Sequence, residues 1–228
     1  MSQYYSYKRP SRTSSTKHRK HNPFRRFVFL ICGIIVIVTA CLLLTKSEED
    51  KPVQESIPAI ALTKTYEQPV IKADLLDPNP YSRPQQKLTE VNGIVVHYVG
   101  NPGTSAEANR NYFNGLAKSK ATYASSHFII DLDGTIVQCI PLTEISYASN
   151  SRNKDTISIE VCHPDETGKF TTESYKALVT LTRWLSSKYE LNSDAIIRHY
   201  DITGKLCPLY YVEHEDAWAA FKKEVFRK

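Results

Sequence analysis

Residues 93–99 read Gly-Ile-Val-Val-His-Tyr-Val, apolar and β-branched with little interruption, which predicts a buried central strand. Residues 127–131 and 135–139 predict two more strands, and Asp133-Gly134 between them is a hairpin turn signal. Residues 156–162 alternate Ile157, Ile159 and Val161 against Thr156, Ser158 and Glu160, the period of a strand with one apolar face and Glu160 on the other. A short strand over 195–199 is expected to close on His199. Three segments carry helical spacing instead. Residues 105–118 place Tyr112, Phe113 and Leu116 inward; residues 173–189 repeat Leu178, Leu181, Thr182 and Leu185, with Thr172 as N-cap; residues 213–226 put Trp218, Phe221 and Val225 on one stripe. Strands and helices that mix, with a hairpin among them, predict an α/β domain whose mixed central β-sheet is flanked by helices. That domain is expected to span 72–228, with Leu75, Leu76 and Tyr81 along its edge.

The N-terminal part follows another pattern. Residues 27–45 are uncharged and mostly apolar without a break, a run that reaches roughly 28 Å as a helix, close to the thickness of a bilayer core. Eight Lys and Arg precede it, and Lys46, Glu48, Glu49 and Asp50 follow it. The expectation is one transmembrane helix with a disordered basic cytoplasmic tail at 1–26, and everything beyond it outside the cytoplasm. Residues 46–71, polar with scattered Pro, are expected to be an extracytoplasmic linker. Val38-Thr39-Ala40-Cys41 resembles the lipobox of lipoproteins, so a lipid on Cys41 is the alternative anchor, and cleaved secretion a third reading. All three put the domain on the same side.

Charge alters the reading little. The net +5 resides in the tail: eight of the 29 Lys and Arg lie before residue 46, no Asp or Glu does, and the remainder carries 21 bases against all 24 acids. The domain is therefore expected to bind no nucleic acid. Of the five cysteines, Cys32 and Cys41 lie in the apolar run; Cys139, Cys162 and Cys207 are left outside. Cys139 and Cys162 close adjacent segments and are read either as a disulfide or as two buried thiols.

His18 and His21 belong to the tail, and His214, opening the last predicted helix, is expected to be exposed. His97 closes a strand ahead of the loop Gly100-Asn101-Pro102-Gly103; a lone histidine there is more simply a core residue. His199 and Cys207 are eight apart across a short loop, close enough for an imidazole and a thiolate to share a Zn2+ ion. Three ligands with a fourth position for water form the pattern of a catalytic zinc, and His97, His199 and Cys207 would fill it.

Four stretches together resemble the zinc-dependent N-acetylmuramoyl-L-alanine amidases, which include phage lysozyme-type amidases and peptidoglycan recognition proteins. They are Ile94-Val95-Val96-His97; Ser126-His127-Phe128-Ile129-Ile130-Asp131 with Asp133-Gly134-Thr135; Ser158-Ile159-Glu160; and His199-Tyr200-Asp201 leading to Lys205-Leu206-Cys207-Pro208. The resemblance implies His97, His199 and Cys207 as zinc ligands, peptidoglycan or a muropeptide as substrate, and hydrolysis of the bond between N-acetylmuramic acid and L-alanine by zinc-activated water. It implies Glu160 as proton carrier and Lys205 as oxyanion stabiliser. A tyrosine that one branch of the family uses is replaced by Ser126, and Tyr123 is off register for it. His127 is assigned to packing or support, and His163 to structure or the rim. The alternative function is a membrane-anchored receptor that holds peptidoglycan without cutting it; retention of Cys207 and Glu160 favours the enzyme. A peptidase would usually show His-Glu-x-x-His, which is absent.

Overall fold

A computed structural model describes residues 59–62 and 64–227. The expected tail (1–26), the expected membrane helix (27–45), Cys41 and residues 46–58 of the expected linker lie outside the described residues. Among the described residues no helix is long and apolar enough to cross a membrane.

Six strands form one sheet: β1 (Lys72–Ala73), β2 (Gly93–Tyr98), β3 (Phe128–Ile130), β4 (Ile136–Gln138), β5 (Thr156–Val161) and β6 (Ile196–Arg198). Their order is β1-β4-β3-β5-β2-β6. The β3–β4 pair is the antiparallel hairpin expected at Asp133-Gly134, with Gly134 in the left-handed region at φ 87°. Every other pairing is parallel. The mixed sheet predicted from the pattern is the one observed.

Helices cover both faces. On one lie α2 (Thr172–Lys188) and α5 (Glu215–Val225), whose Leu178, Leu181, Leu185, Trp218, Phe221 and Val225 pack on Ile94, Val96, Phe128, Ile157 and Ile159. On the other, Phe113 and Leu116 of α1 (Ala106–Ser119) pack with Ile129, Val137, Cys139 and Cys162. Each fully buried large apolar side chain contributes about 1.5–3 kcal/mol relative to exposure. Two short helices, α3 (His199–Thr203) and α4 (Leu209–Glu213), complete the chain.

Several local expectations change. Thr171, not Thr172, caps α2: its Oγ1 accepts from the Ser174 N–H at 3.0 Å. Tyr112 is exposed, because at its place on α1 the ring points away from the sheet, and Leu75 is exposed beside a buried Leu76. β6 ends at Arg198, so His199 opens a helix rather than closing a strand. The helix expected over 213–226 breaks at His214 (φ −129°, ψ 79°), a one-residue backbone event that a hydrophobic stripe does not register. Thr156 and Ser158 are buried and Glu160 is half-buried, so most of the polar face of β5 is covered, as expected for a parallel strand between two neighbours.

The described part of the expected linker lies against the domain. Ile60 and Ser193 exchange hydrogen bonds, Ile60 N–H to Ser193 Oγ at 2.9 Å and Ser193 N–H to the Ile60 carbonyl at 2.8 Å. Ile60, Leu62 and Ile71 pack on the core, and the Tyr66 ring lies under the Arg183 guanidinium at 5.3 Å.

Candidate metal centre

β2, β5 and β6 run parallel, so their C-terminal ends share one edge of the sheet, where open α/β sheets commonly bind ligands. His97 is the penultimate residue of β2 and Glu160 is its register partner on β5. His199 follows β6 directly. Gly204, at φ 76°, then ends α3 and turns the chain so that Cys207 returns, its carbonyl accepting from the Tyr200 N–H at 3.0 Å.

The result is a cluster. One ligand atom each from His97, His199 and Cys207 lies within 4.8 Å of the others, all three residues being buried. Cys207 Sγ is 3.8 Å from His97 Nδ1, and the two imidazole centroids are 4.8 Å apart. With ligand bonds near 2.0 and 2.3 Å, a tetrahedral ion would hold nitrogen and sulfur about 3.6 Å apart. The donor set therefore fits a metal with little movement.

The second ring nitrogens agree. His199 Nε2–H donates to Asn150 Oδ1 at 2.8 Å, which leaves Nδ1 as the free lone pair. His97 Nε2 meets Ser149 Oγ at 3.2 Å, again leaving Nδ1 toward the thiol. One loop thus orients both rings. It is braced by Asn153, whose Oδ1 accepts from the Ala148 and Ser149 N–H groups, and Asn150 itself sits at φ 51°. Sequence reasoning missed Ser149 and Asn150, since nothing in their spacing ties them to histidines about fifty positions away.

Burial, and then the facing His199, holds His97 well below the ordinary imidazole value, so it offers a neutral lone pair. Burial pushes the Cys207 thiol up to about 12, with the Tyr98 backbone N–H and Lys205 opposing; without a cation it is a thiol. Burial likewise pushes Glu160 up to about 8, with Lys205 opposing, and its Oε2 is buried without a hydrogen-bond partner. Lys205 acts electrostatically on His97, His199, Cys207 and Glu160 alike, which places its charge at the mouth of the cluster. His97, His199 and Cys207 meet at one place with Glu160 alongside, and Lys205 is near enough for its charge to act on all four.

The other histidines lie elsewhere. His127 Nε2–H donates to the Glu144 carbonyl at 2.9 Å and Nδ1 accepts from the Ser158 N–H at 3.1 Å, so neither nitrogen is free. Both His163 nitrogens lie 2.7 Å from backbone carbonyls, of Asp165 and Val99. His214 is exposed and stacks on Tyr210. Ser126 is fully buried, its hydroxyl donating to the Phe128 carbonyl at 2.9 Å, far from the role of a catalytic tyrosine. Cys139 and Cys162 are free buried thiols.

Fold and cluster together define a class: an α/β domain that gathers two imidazoles and a thiol around one ion, with a carboxyl group alongside. The family model of the N-acetylmuramoyl-L-alanine amidases matches residues 87–209, more than half of the chain, and the chain belongs to that family. It is 35% identical over 159 residues to a probable N-acetylmuramoyl-L-alanine amidase of Bacillus licheniformis, covering 64% of this chain and 44% of that protein. It is 33% identical over 160 residues to the amidase CwlL of the same organism, with the same coverage. The chain thus spans less than half the length of the curated relatives it matches. Among solved structures, the XlyA catalytic domain superposes with a TM-score of 0.59 at 25% identity, over 69% of this chain and 99% of that one. PlyL gives 0.58 at 25% identity, over 69% and 97%.

Proposed function

We propose that this protein is a zinc-dependent amidase that hydrolyses the bond between N-acetylmuramic acid and L-alanine in peptidoglycan. The observation that carries the reading is the orphaned Glu160 carboxyl beside the His97–His199–Cys207 cluster, in a family named for this reaction. Bound there, zinc supplies Lewis acidity: it polarises a carbonyl and acidifies water.

The chain's own groups do the rest. Cys207 gives up its proton on loading and His97 and His199 present Nδ1 lone pairs, their rings fixed by Ser149 and Asn150. Glu160 takes the proton from the attacking water and delivers it to the L-alanine nitrogen as the amide breaks. Burial lifts this carboxyl to about 8 without a metal; Lys205, and a cation bound alongside, would bias it toward the carboxylate that the first step needs. The Lys205 ammonium also opposes the negative charge that develops on the lactyl carbonyl oxygen.

The test is digestion of purified cell walls. The products expected are peptides beginning with L-alanine and peptide-free glycan, lost on chelation and restored by zinc. Glu160→Gln should keep its zinc and lose about 10²–10⁴ in turnover. Peptides with an internal cut, or binding without release, would overturn the reading.

We infer further that residues 27–45 hold the protein in the membrane with the domain outside the cytoplasm. An unbroken apolar run behind eight basic residues supports this. Full chain recovered in the soluble fraction, like a version lacking residues 1–45, would refute it.

A further inference from the structure

The residue immediately before His199 carries a buried positive charge that the reaction scheme does not use. Arg198 ends β6 and is only 6% exposed. A guanidinium so placed is destabilising unless its donors are met. Here they fan out to three helices. Nε and Nη2 grip the Asp201 carboxylate of α3 at 3.2 and 2.8 Å. Nη1 donates to the Tyr211 carbonyl of α4 at 2.8 Å and to Glu215, the first residue of α5, at 2.7 Å. The Tyr200 and Trp218 rings lie 5.3 and 5.5 Å from the guanidinium carbon, within cation–π range. Asp201 also accepts from the Arg198 backbone N–H at 2.8 Å, at the start of α3.

We propose that Arg198 is a positioning residue for the metal centre, fixing the segment that carries His199 and Cys207 so that both ligands stand ready before an ion binds. His199 and Cys207 both lie between Arg198 and Tyr211 in the chain, so the bond joining those two closes the segment from outside. Asp201 ties it once more from within, and Glu215 anchors it to α5, whose Trp218, Phe221 and Val225 pack in the core. The loop itself is lightly held: Lys205 and Leu206 are exposed, and the Tyr200 N–H to the Cys207 carbonyl is the tie across it. An ion meeting a slack segment would have to order it, and that entropy would be lost from its affinity.

A lysine could supply the charge but not the reach. An ammonium is a single point, whereas the planar guanidinium fork faces several partners at fixed angles. Arg83 offers the contrast. Its guanidinium is paired as closely, holding Glu144 through bonds of 2.9 and 2.8 Å and the Leu76 carbonyl at 2.7 Å, but the segments it joins carry none of the three ligands. The role given to Arg198 presupposes the zinc reading of the cluster.

The experiment measures zinc affinity of the full chain by competition with a chelator. Arg198→Lys should raise the dissociation constant about 10–100-fold, the loss typical of an orienting partner, and Arg83→Lys should leave it unchanged. Glu215→Ala removes only the tie to α5, at a side chain that is 66% exposed, and should raise it about two- to fivefold. In the metal-free chain, hydrogen exchange over residues 199–207 should quicken in Arg198→Lys, while exchange over 128–138 stays as in wild type. Wild-type affinity in Arg198→Lys, an equal loss in Arg83→Lys, or quickened exchange spread evenly over the domain would overturn the proposal. Where Arg198→Lys does not fold, Glu215→Ala decides, and unchanged affinity there overturns it. A wild type that holds no zinc would sink the zinc reading instead, and the exchange measurement, which needs no metal, would still show whether Arg198 fixes the segment.

Discussion

His97 near the end of β2 and His127 just ahead of β3 are both buried histidines, on the two strands that flank β5, yet their surroundings differ in one respect. Around His127 every polar atom has a protein partner. Its nitrogens are taken by Ser158 and Glu144, the Ser158 hydroxyl meets Ser146 at 2.8 Å, and Ser126 donates to a backbone carbonyl. Around His97 the accounts stay open. Nδ1 faces a thiol and a second imidazole, and Glu160, two residues along β5 from Ser158, keeps a buried oxygen without a partner. Burying polar groups is tolerable only when they are satisfied. The His127 cluster is satisfied by the fold itself and can only be structural. The His97 cluster is not satisfied by the fold, its donor set fits a metal ion, and that marks it as the candidate functional one of the two.

The sharpest break of this contrast is Cys207→Ala. Loss of a direct ligand should weaken metal binding by more than about a hundredfold, since even orienting residues are worth 10–100-fold. Metal content per chain after dialysis reads this directly, and wall digestion should vanish with it. Full metal content in Cys207→Ala would place the ion elsewhere and dissolve the distinction.

The satisfied cluster should fail differently, with acid. Burial holds His127 down at about 4, the Glu144 carbonyl opposing, against 6.5 when unfolded. Between those values the unfolded chain binds a proton that the folded chain refuses. Stability from this group is therefore complete above about pH 6.5 and lost as pH falls toward 4, about 3 kcal/mol in all. Denaturant midpoints measured across that window should slope less steeply in His127→Gln, although that variant starts less stable. An unchanged slope would mean that burial does not hold His127 neutral in the folded chain.

Why one contrast was legible in the sequence and the other was not follows from distance along the chain. The strands and long helices were readable because each is a local period, and the 93–98 run or the Leu178-Leu181-Leu185 spacing announces itself. His97, His199 and Cys207 came forward from their places at strand ends and across one short loop, and Glu160 and Lys205 received their roles through short stretches that resemble a family; none of the five announced itself by a period of its own. The one-residue events were missed: the cap at Thr171, the break at His214, and the start of a helix at His199. So was the partner of each ring. Whether a histidine is core or ligand depends on where its second nitrogen goes, and for His97 and His199 that is settled by a loop about fifty residues distant.

That loop offers the finest test. Asn150 occupies φ 51°, a conformation that glycine adopts at no steric cost, so Asn150→Gly removes the side chain while permitting the backbone. What disappears is the acceptor that fixes the His199 tautomer at 2.8 Å. Metal affinity should fall about 10–100-fold, read by competition with a chelator, with the fold retained. Ser149→Ala removes a longer contact, 3.2 Å to His97, and should cost less. If the order of the two reverses, His97 and not His199 is the ring whose orientation limits the site. If neither matters, the backbone of β2 and α3 alone aims both rings, and the open cluster is as rigidly built as the closed one beside it.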